Sequence, residues 1–452
     1  MMTLRRVKYL ISVLFVLCSL SSNAQTTVPT ITNSNTLAMG QYFDALCNAL
    51  FKNLGTANPR VTIQAATQQG QTDLTNACGN YVNGQRSGQQ IQTFIEGIDP
   101  TGFISFKLDS LLFAQSDNES SMDRMQALRR DHHANTAGIT SDHHAEYAAV
   151  GGGASADDAK DLSGNKLGLW FRVNSSNGKK DPTLLTTSLN GNQYSGTVGL
   201  DYRITDNAVL GGLLGYRHAK TDFGDGGSAG NMDSKTTNIS AYFSSYLYKD
   251  LYLDAVVNYS KVKFNTDRHV FDLSPTPVLH VSPGSTNGNT LSIGAALGYE
   301  FAVNAWTITP SLHYLHIDSK IDAFEESGAG PFDLSYGKQH YNSSSARLDL
   351  NIAYAISSDG AVWLPHLRTE LIKEFGANID TFDVRFINDP TSASPTPLPV
   401  QMDKLDDLYY RLSLGVAAQF HNNIAAYLDY QQLVGFDAVS LSNVVAGMRF
   451  QF

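Results

Sequence analysis

At 452 residues the chain is too long for one ordinary domain. A formal net charge of -10 argues against a nucleic-acid partner. Charged residues are only 16% of the total, below the roughly 25% of typical globular proteins; Gly, Asn, Ser, Thr and Tyr fill the deficit, which is a β-rich composition.

Residues 1–24 read as an export signal. Arg5, Arg6 and Lys8 precede a short apolar core from Leu10 to Leu20, and Ser22-Asn23-Ala24 offers a small-x-small cleavage site before Gln25. Cys18 falls inside this signal and lacks the small residue expected just before a lipoprotein cysteine. No other stretch has the roughly 20 apolar residues of a membrane-spanning helix, so any insertion must be by a barrel.

Residues 25–130 read as a helical leader. Phe43, Leu46, Cys47, Leu50, Phe51 and Leu54 follow the spacing of an amphipathic helix, as do Leu74, Ala77, Cys78, Tyr81 and Val82. Ile91, Phe94, Ile95 and Ile98 give a shorter third helix, stopped by Asp99-Pro100. Cys47 and Cys78 lie on apolar faces of an exported chain, so a disulfide is expected; two buried free thiols are the alternative. A fourth helix is expected from Phe103 to Arg130, with Leu108, Leu111 and Leu112 giving way to a polar half that carries Met122, Met125 and Leu128. Residues 131–165 read as a flexible linker. Within it, "DHHANTAGITSDHHAEY" sets Asp131, His132, His133, Asp142, His143 and His144 close together. Adjacent histidines on a linker lack fixed ligand geometry, so no metal site is assigned and no cofactor is expected.

From residue 166 to 452 the period is two. Leu167, Leu169, Phe171 and Val173 alternate with Trp170, Arg172 and Asn174; later runs, such as Ala346 to Tyr354 and Leu412 to Phe420, repeat the pattern. Twelve runs begin near 166, 192, 207, 231, 250, 287, 304, 335, 361, 405, 423 and 441. Each is long enough to cross a bilayer as a tilted strand, which takes about 9–11 residues. Short links such as Lys249-Asp250 take turns with long ones such as "DPTSASPTPLP". That is the rule of short periplasmic turns and long outer loops in an all-β transmembrane barrel of about 12 antiparallel strands. Tyr202, Tyr248, Tyr252, Trp306, Trp363 and Tyr430 near strand ends suit interfacial girdles. A soluble β-sandwich also alternates but seldom sustains so many long strands.

Residues 166–452 resemble the β-domain of type V secretion autotransporters, on "GLWFRV", "SGTVGLDYRI", "NAVLGGLLGYRHAKTDF", "YFSSYLYKDLYLDAVVNYS", "LPHLRTELIKEF" and the terminal "RFQF". More loosely, Leu37 to Arg130 is similar to the short cysteine-containing leaders of some autotransporters. The resemblance implies a cell outer membrane location, insertion by the outer-membrane barrel assembly machinery with periplasmic chaperones, outer-membrane lipid as surroundings, and a helix in the pore. It also implies that Met448, Phe450 and Phe452 form the signal read during assembly. A monomeric barrel is expected.

Alternation places Arg172, Asp201, Arg203, Glu300, Arg347, Asp349, Arg368, Glu370, Arg411, Asp429 and Arg449 on the lumen face. The polar stretch Ser120 to Arg130 is expected to enter that lumen, because Asp123, Arg124, Arg129 and Arg130 would be costly in lipid. "FGDGGSAG" lies in an outer loop and lacks the context of a GDSL-type esterase motif; Gly-x-Ser-x-Gly and phosphate-binding glycine loops are absent. No catalytic residue is nominated and no enzyme activity is expected. The expected function is export or display of the short N-terminal segment. The alternatives are a small adhesin or enzyme carried by the leader and long loops, or a structural pore that exports nothing.

Overall fold

The computed structural model describes residues 33–55, 77–78, 87–137 and, apart from short stretches within the loops, 166–451. Twelve long strands are β1 (Leu167–Lys180), β2 (Leu189–Thr205), β3 (Ala208–Phe223), β4 (Gly230–Tyr248), β5 (Leu251–Phe271) and β6 (Leu279–Tyr299), then β7 (Trp306–Ile321), β8 (Gln339–Tyr354), β9 (Ala361–Phe375), β10 (Leu408–Phe420), β11 (Ile424–Val434) and β12 (Val439–Gln451). Each pairs antiparallel with the next, and β12 returns to β1, with Gly168 opposite Gln451 and Lys180 opposite Val439. The sheet is a closed barrel, so no edge of unpaired amides faces lipid.

The two-residue period dictates this closure. Outward positions such as Ile239, Val257, Ile293, Leu312, Leu348 and Leu414 are apolar and exposed, while their neighbours turn inward and are buried. Exposed apolar side chains all round a barrel need a lipid solvent, not water. The tight links sit at one end, where Lys249 and Asn304 take the positive φ that short turns require. Leu167 and Gln451 lie at that same end. The long connections gather at the other.

There the connections fold into a second layer. Phe324–Glu325, Leu334–Tyr336, Thr381–Phe386 and Leu398–Gln401 form a four-stranded antiparallel sheet. Against it pack the leader helices α1 (Ser34–Gly55) and α2 (Gly88–Ile98), followed by a 3-10 turn (Pro100–Phe103) and a long helix α3 (Ile104–Ala137). Asn33 caps α1 by accepting from the amides of Asn35 and Thr36 at 2.9 and 3.0 Å. Ser87 and Gln90 close a reciprocal capping box on α2.

Several expectations shift. The barrel strand expected near 335 begins at Gln339, and residues 334–336 belong to the small outer sheet instead. The strand expected near 287 begins at Leu279, because its pairing with β5 continues without a break as far as Phe271. Helix α3 runs on to Ala137, so the first seven residues assigned to the linker are helical. Tyr252, expected at the interface, turns inward and is buried. Its ring fills the space over Gly298, where a Cβ would lie 2.3 Å from the phenol oxygen; the other five girdle aromatics are exposed outward. The export signal, most of the linker and Phe452 lie outside the described residues, as do the side chains of His132 and His133.

Cys47 and Cys78 form the expected disulfide, 31 residues apart in sequence. Closing a loop of this length removes chain entropy worth about 3–4 kcal/mol on the loop-closure model. Replacing both cysteines by serine is therefore expected to make α1 markedly more protease-sensitive while leaving the barrel's heat resistance on gels unchanged. Equal digestion of α1 in both proteins would show that packing alone holds it.

Candidate functional site: a filled lumen under an outer cap

Helix α3 occupies the barrel interior. At about 1.5 Å per residue its 34 residues span roughly 50 Å, more than the bilayer core. Phe106, near its start, packs on Phe264 of β5 and on Phe324 in the outer cap. Arg124 and Ala127, further along, reach the tight-turn end.

The helix is polar but ordered, because two kinds of contact satisfy it. Met122, Met125 and Leu128 form an apolar strip against Trp170, Leu213, Tyr242, Val256 and Ala296 on the β1–β6 wall. Charges fill the rest. Asp117 accepts from Arg217 at 2.9 Å and from Ser260 at 3.1 Å. Glu119 pairs with Arg411 and, at 3.5 Å, with Arg347. Asp123 sits between Arg172 at 3.2 Å and Arg368 at 2.8 Å. In the opposite sense, Arg124 on the helix meets Asp201 on β2 at 2.6 Å. The barrel arginines are themselves cross-braced: Arg368 meets Asp349 and Glu370 at 2.7 and 3.0 Å, and Arg411 meets Glu370 at 3.1 Å. Buried charges survive only when paired in this way.

All eleven of the charged residues expected along the lumen, Asp201 and Asp429 included, lie inside the barrel wall. Arg172, Arg347, Asp349, Arg368, Glu370 and Arg411 converge on α3, and Arg449 donates to the Ala127 carbonyl at 3.3 Å. Glu300 accepts from Tyr246 at 2.9 Å, near the tight-turn end. Arg203 is half-buried at the same end. Met448 and Phe450 face outward, with Phe450 edge-on to Phe171 of β1 at 6.4 Å. Sequence reading missed Asp117, Glu119 and Arg217. Arg217 shares the parity of Gly211 and Gly215 on β3, which was the available signal. Where α3 passes β6, Gly294 leaves room for Asn118, whose amide would be 2.1 Å from an added Cβ. A cavity of about 100 Å³ remains beside the helix, between Asp123, His366, Tyr427 and Arg449.

Above the lumen, leader and loops share one core. Phe43 of α1 packs on Phe94 of α2 and on Phe386 of the outer sheet, at 5.0 and 5.7 Å. Phe94 meets Phe332, and Phe103 meets Tyr336 at 4.5 Å. Beneath this, Arg268 of β5 is buried in a fork with Glu326, and its guanidinium also donates to the Gly97 carbonyl of α2 and the Phe332 carbonyl. Gly97 permits that approach, since a Cβ there would lie 2.9 Å from the His269 carbonyl oxygen. Asn35 donates to the carbonyls of Leu185 and Gln401.

Asp99 ties α1 to the turn before α3, accepting from Thr36 and Thr101. Desolvation pushes its carboxyl up to about 6, against those hydrogen bonds and the nearby Arg268 charge. A carboxyl whose folded value is raised binds its proton more tightly when folded, so the cap gains stability as pH falls through 6. Between pH 7 and pH 5 the gain is about 1.4 kcal/mol, near tenfold in cap opening. Slower proteolysis of the leader at pH 5, abolished in Asp99→Asn, is the expected result; a pH-independent difference between the two proteins would contradict it.

The autotransporter beta-domain family model matches residues 169–431, more than half of the chain. The chain belongs to that family. The autotransporter barrel lies in the cell outer membrane, and its fold agrees with a solved relative. The translocator domain of the autotransporter NalP from Neisseria meningitidis aligns with a TM-score of 0.51 at 15% identity, over 66% of this chain and 92% of that one. Among curated proteins, Esterase EstA of Pseudomonas aeruginosa is 27% identical over 172 residues, 37% of this chain and 26% of the esterase. Outer membrane protein B of Rickettsia typhi is 22% identical over 275 residues, 60% of this chain and 16% of that protein. The chain therefore spans about a quarter or less of the length of these two relatives.

Proposed function

We propose that this autotransporter barrel carries its own short leader across the outer membrane and retains it, folded, as a cap on the outer face. The observation that carries this reading is the shared core: Phe43 and Phe94 of the leader pack on Phe386 and Phe332 of the long connections. A leader waiting on the periplasmic side would have no access to those partners, since long connections face outward in outer-membrane barrels. Helix α3 is then the part of the exported segment that stays in the lumen.

Insertion by the barrel assembly machinery, escort by periplasmic chaperones and a monomeric barrel belong to the same reading, supported by family membership and by a closed sheet with no free edge. The chain acts here in export and display, with no catalysis of its own; the lack of esterase-type motifs in the sequence supports this, and hydrolysis of short-chain nitrophenyl esters by the purified protein would overturn it. An epitope placed at residue 30 is expected to be accessible to antibody on intact cells. Detection only after permeabilisation would place the leader on the periplasmic side and end the proposal.

A further inference from the structure

The outward face of the barrel changes chemistry abruptly towards the long-loop end. On β4, β5 and β6 the apolar belt ends at Ile239, Tyr259 and Leu291, all exposed. Beyond them, with Thr237 intervening on β4, the outward positions include Lys235 on β4, Lys261 and Lys263 on β5, and His218 and Lys220 on neighbouring β3. Register sets them side by side: His218 lies opposite Lys235, and Lys235 lies opposite Lys263. Lys261 is on the same face as Lys263, two residues nearer the belt.

This row is unfavourable as it stands. Residues directly opposite in an antiparallel pair have Cβ atoms about 5 Å apart, and like charges there destabilise the sheet. Asp233 offsets part of the charge, at 2.6 Å from His218 and 4.0 Å from Lys235. Lys220 lies directly opposite Asp233, while Lys261 and Lys263 make no ion pair among the described residues. General basicity does not explain the cluster, because the chain carries a net charge of -10. A fixed anion lying against β3–β5 would turn the repulsion into attraction.

We infer that this row is a docking surface for the phosphate groups of an anionic glycolipid in the outer leaflet, with the acyl chains lying on the apolar belt below. Position selects the lipid: the cations begin where Tyr216, Tyr259 and Tyr314 mark the exposed aromatic border, which is the depth of headgroup phosphates. Ammonium groups bind phosphate as point charges. The assignment rests on the long connections facing the cell exterior.

The experiment uses the full-length protein in nanodiscs of neutral phosphatidylcholine, titrated with diphosphoryl lipid A. Each lysine near an anionic headgroup contributes about fivefold in binding, so the triple variant Lys235→Gln, Lys261→Gln, Lys263→Gln is expected to bind roughly a hundredfold more weakly. These side chains are exposed, and unchanged heat-modifiability of the variant on gels confirms folding. Dephosphorylated lipid A is expected to bind wild type no better than the variant. Equal binding by wild type and variant overturns the inference, as does inorganic phosphate competing at the same concentration as lipid A, which would mark an unselective anion site. The titration does not depend on orientation in cells. A leader found on the periplasmic side would therefore sink the proposed function and leave a positive titration standing as a lipid site of other orientation.

Discussion

Deleting residues 26–137 is expected to convert a closed barrel into an open pore. A helix with its side chains is about 10–12 Å wide, and in this barrel that width is filled along most of the lumen by α3. Removing it leaves a water column lined by the inward charges. In planar bilayers the single-channel conductance is expected to rise by about tenfold or more over the intact protein, since a filled lumen of this diameter passes ions only through residual gaps. The change also has a sign. Asp117, Glu119 and Asp123 leave with the helix, against the single cation Arg124 that leaves Asp201 behind, while Arg172, Arg217, Arg347, Arg368 and Arg411 stay on the wall. Selectivity should accordingly shift towards anions. An unchanged conductance would mean that the outer loops close the barrel unaided, and a shift towards cations would contradict the ion-pair assignment.

The second large effect is expected from Glu326→Leu. Arg268 is 2% exposed and Glu326 fully buried, so the substitution strands a guanidinium at the base of the cap. Breaking a buried pair by removing one partner costs roughly 3–5 kcal/mol, comparable with the whole stability of a small domain. The variant is expected to lose protease protection of α1, α2 and the outer sheet together, because the same guanidinium holds the Gly97 and Phe332 carbonyls. Barrel strands, bound by their own ladders, should keep their resistance to detergent at room temperature. Glu326→Gln, which preserves shape and part of the hydrogen bonding, is expected to fall between. Full protection of the leader in Glu326→Leu would show that the aromatic core suffices without the ion pair.

The barrel was legible because a period of two survives any register: whichever strands pair, Phe171 goes out and Arg172 goes in. The lumen charges were legible for the same reason, and so was the entry of Asp123 and Arg124 into the barrel. Which carboxylate meets which arginine was not, since Glu119 reaches Arg411 only once the barrel's curvature and the helix's rotation are fixed together. Tyr252 reads as an interfacial aromatic by its place in the strand; only Gly298 opposite it reveals the inward pocket. The cap was the largest omission. Its strands are two to six residues long, too short for periodicity to declare them. A composition signal did exist: Phe324, Phe332, Leu334, Tyr336, Phe382 and Phe386 are too apolar for connections bathed in water.

The hydrogen bond from Asn35 to the Gln401 carbonyl joins residues 366 positions apart. Contacts of such separation form late, because the loop between them must be closed before they give anything back. The cap core draws on segments just before β10, so α1 has no complete binding surface until most of the sheet is laid down. Leader packing is thereby made contingent on the rest of the chain: the surface that α1 rests on is complete only when the segments near Gln401 are in place.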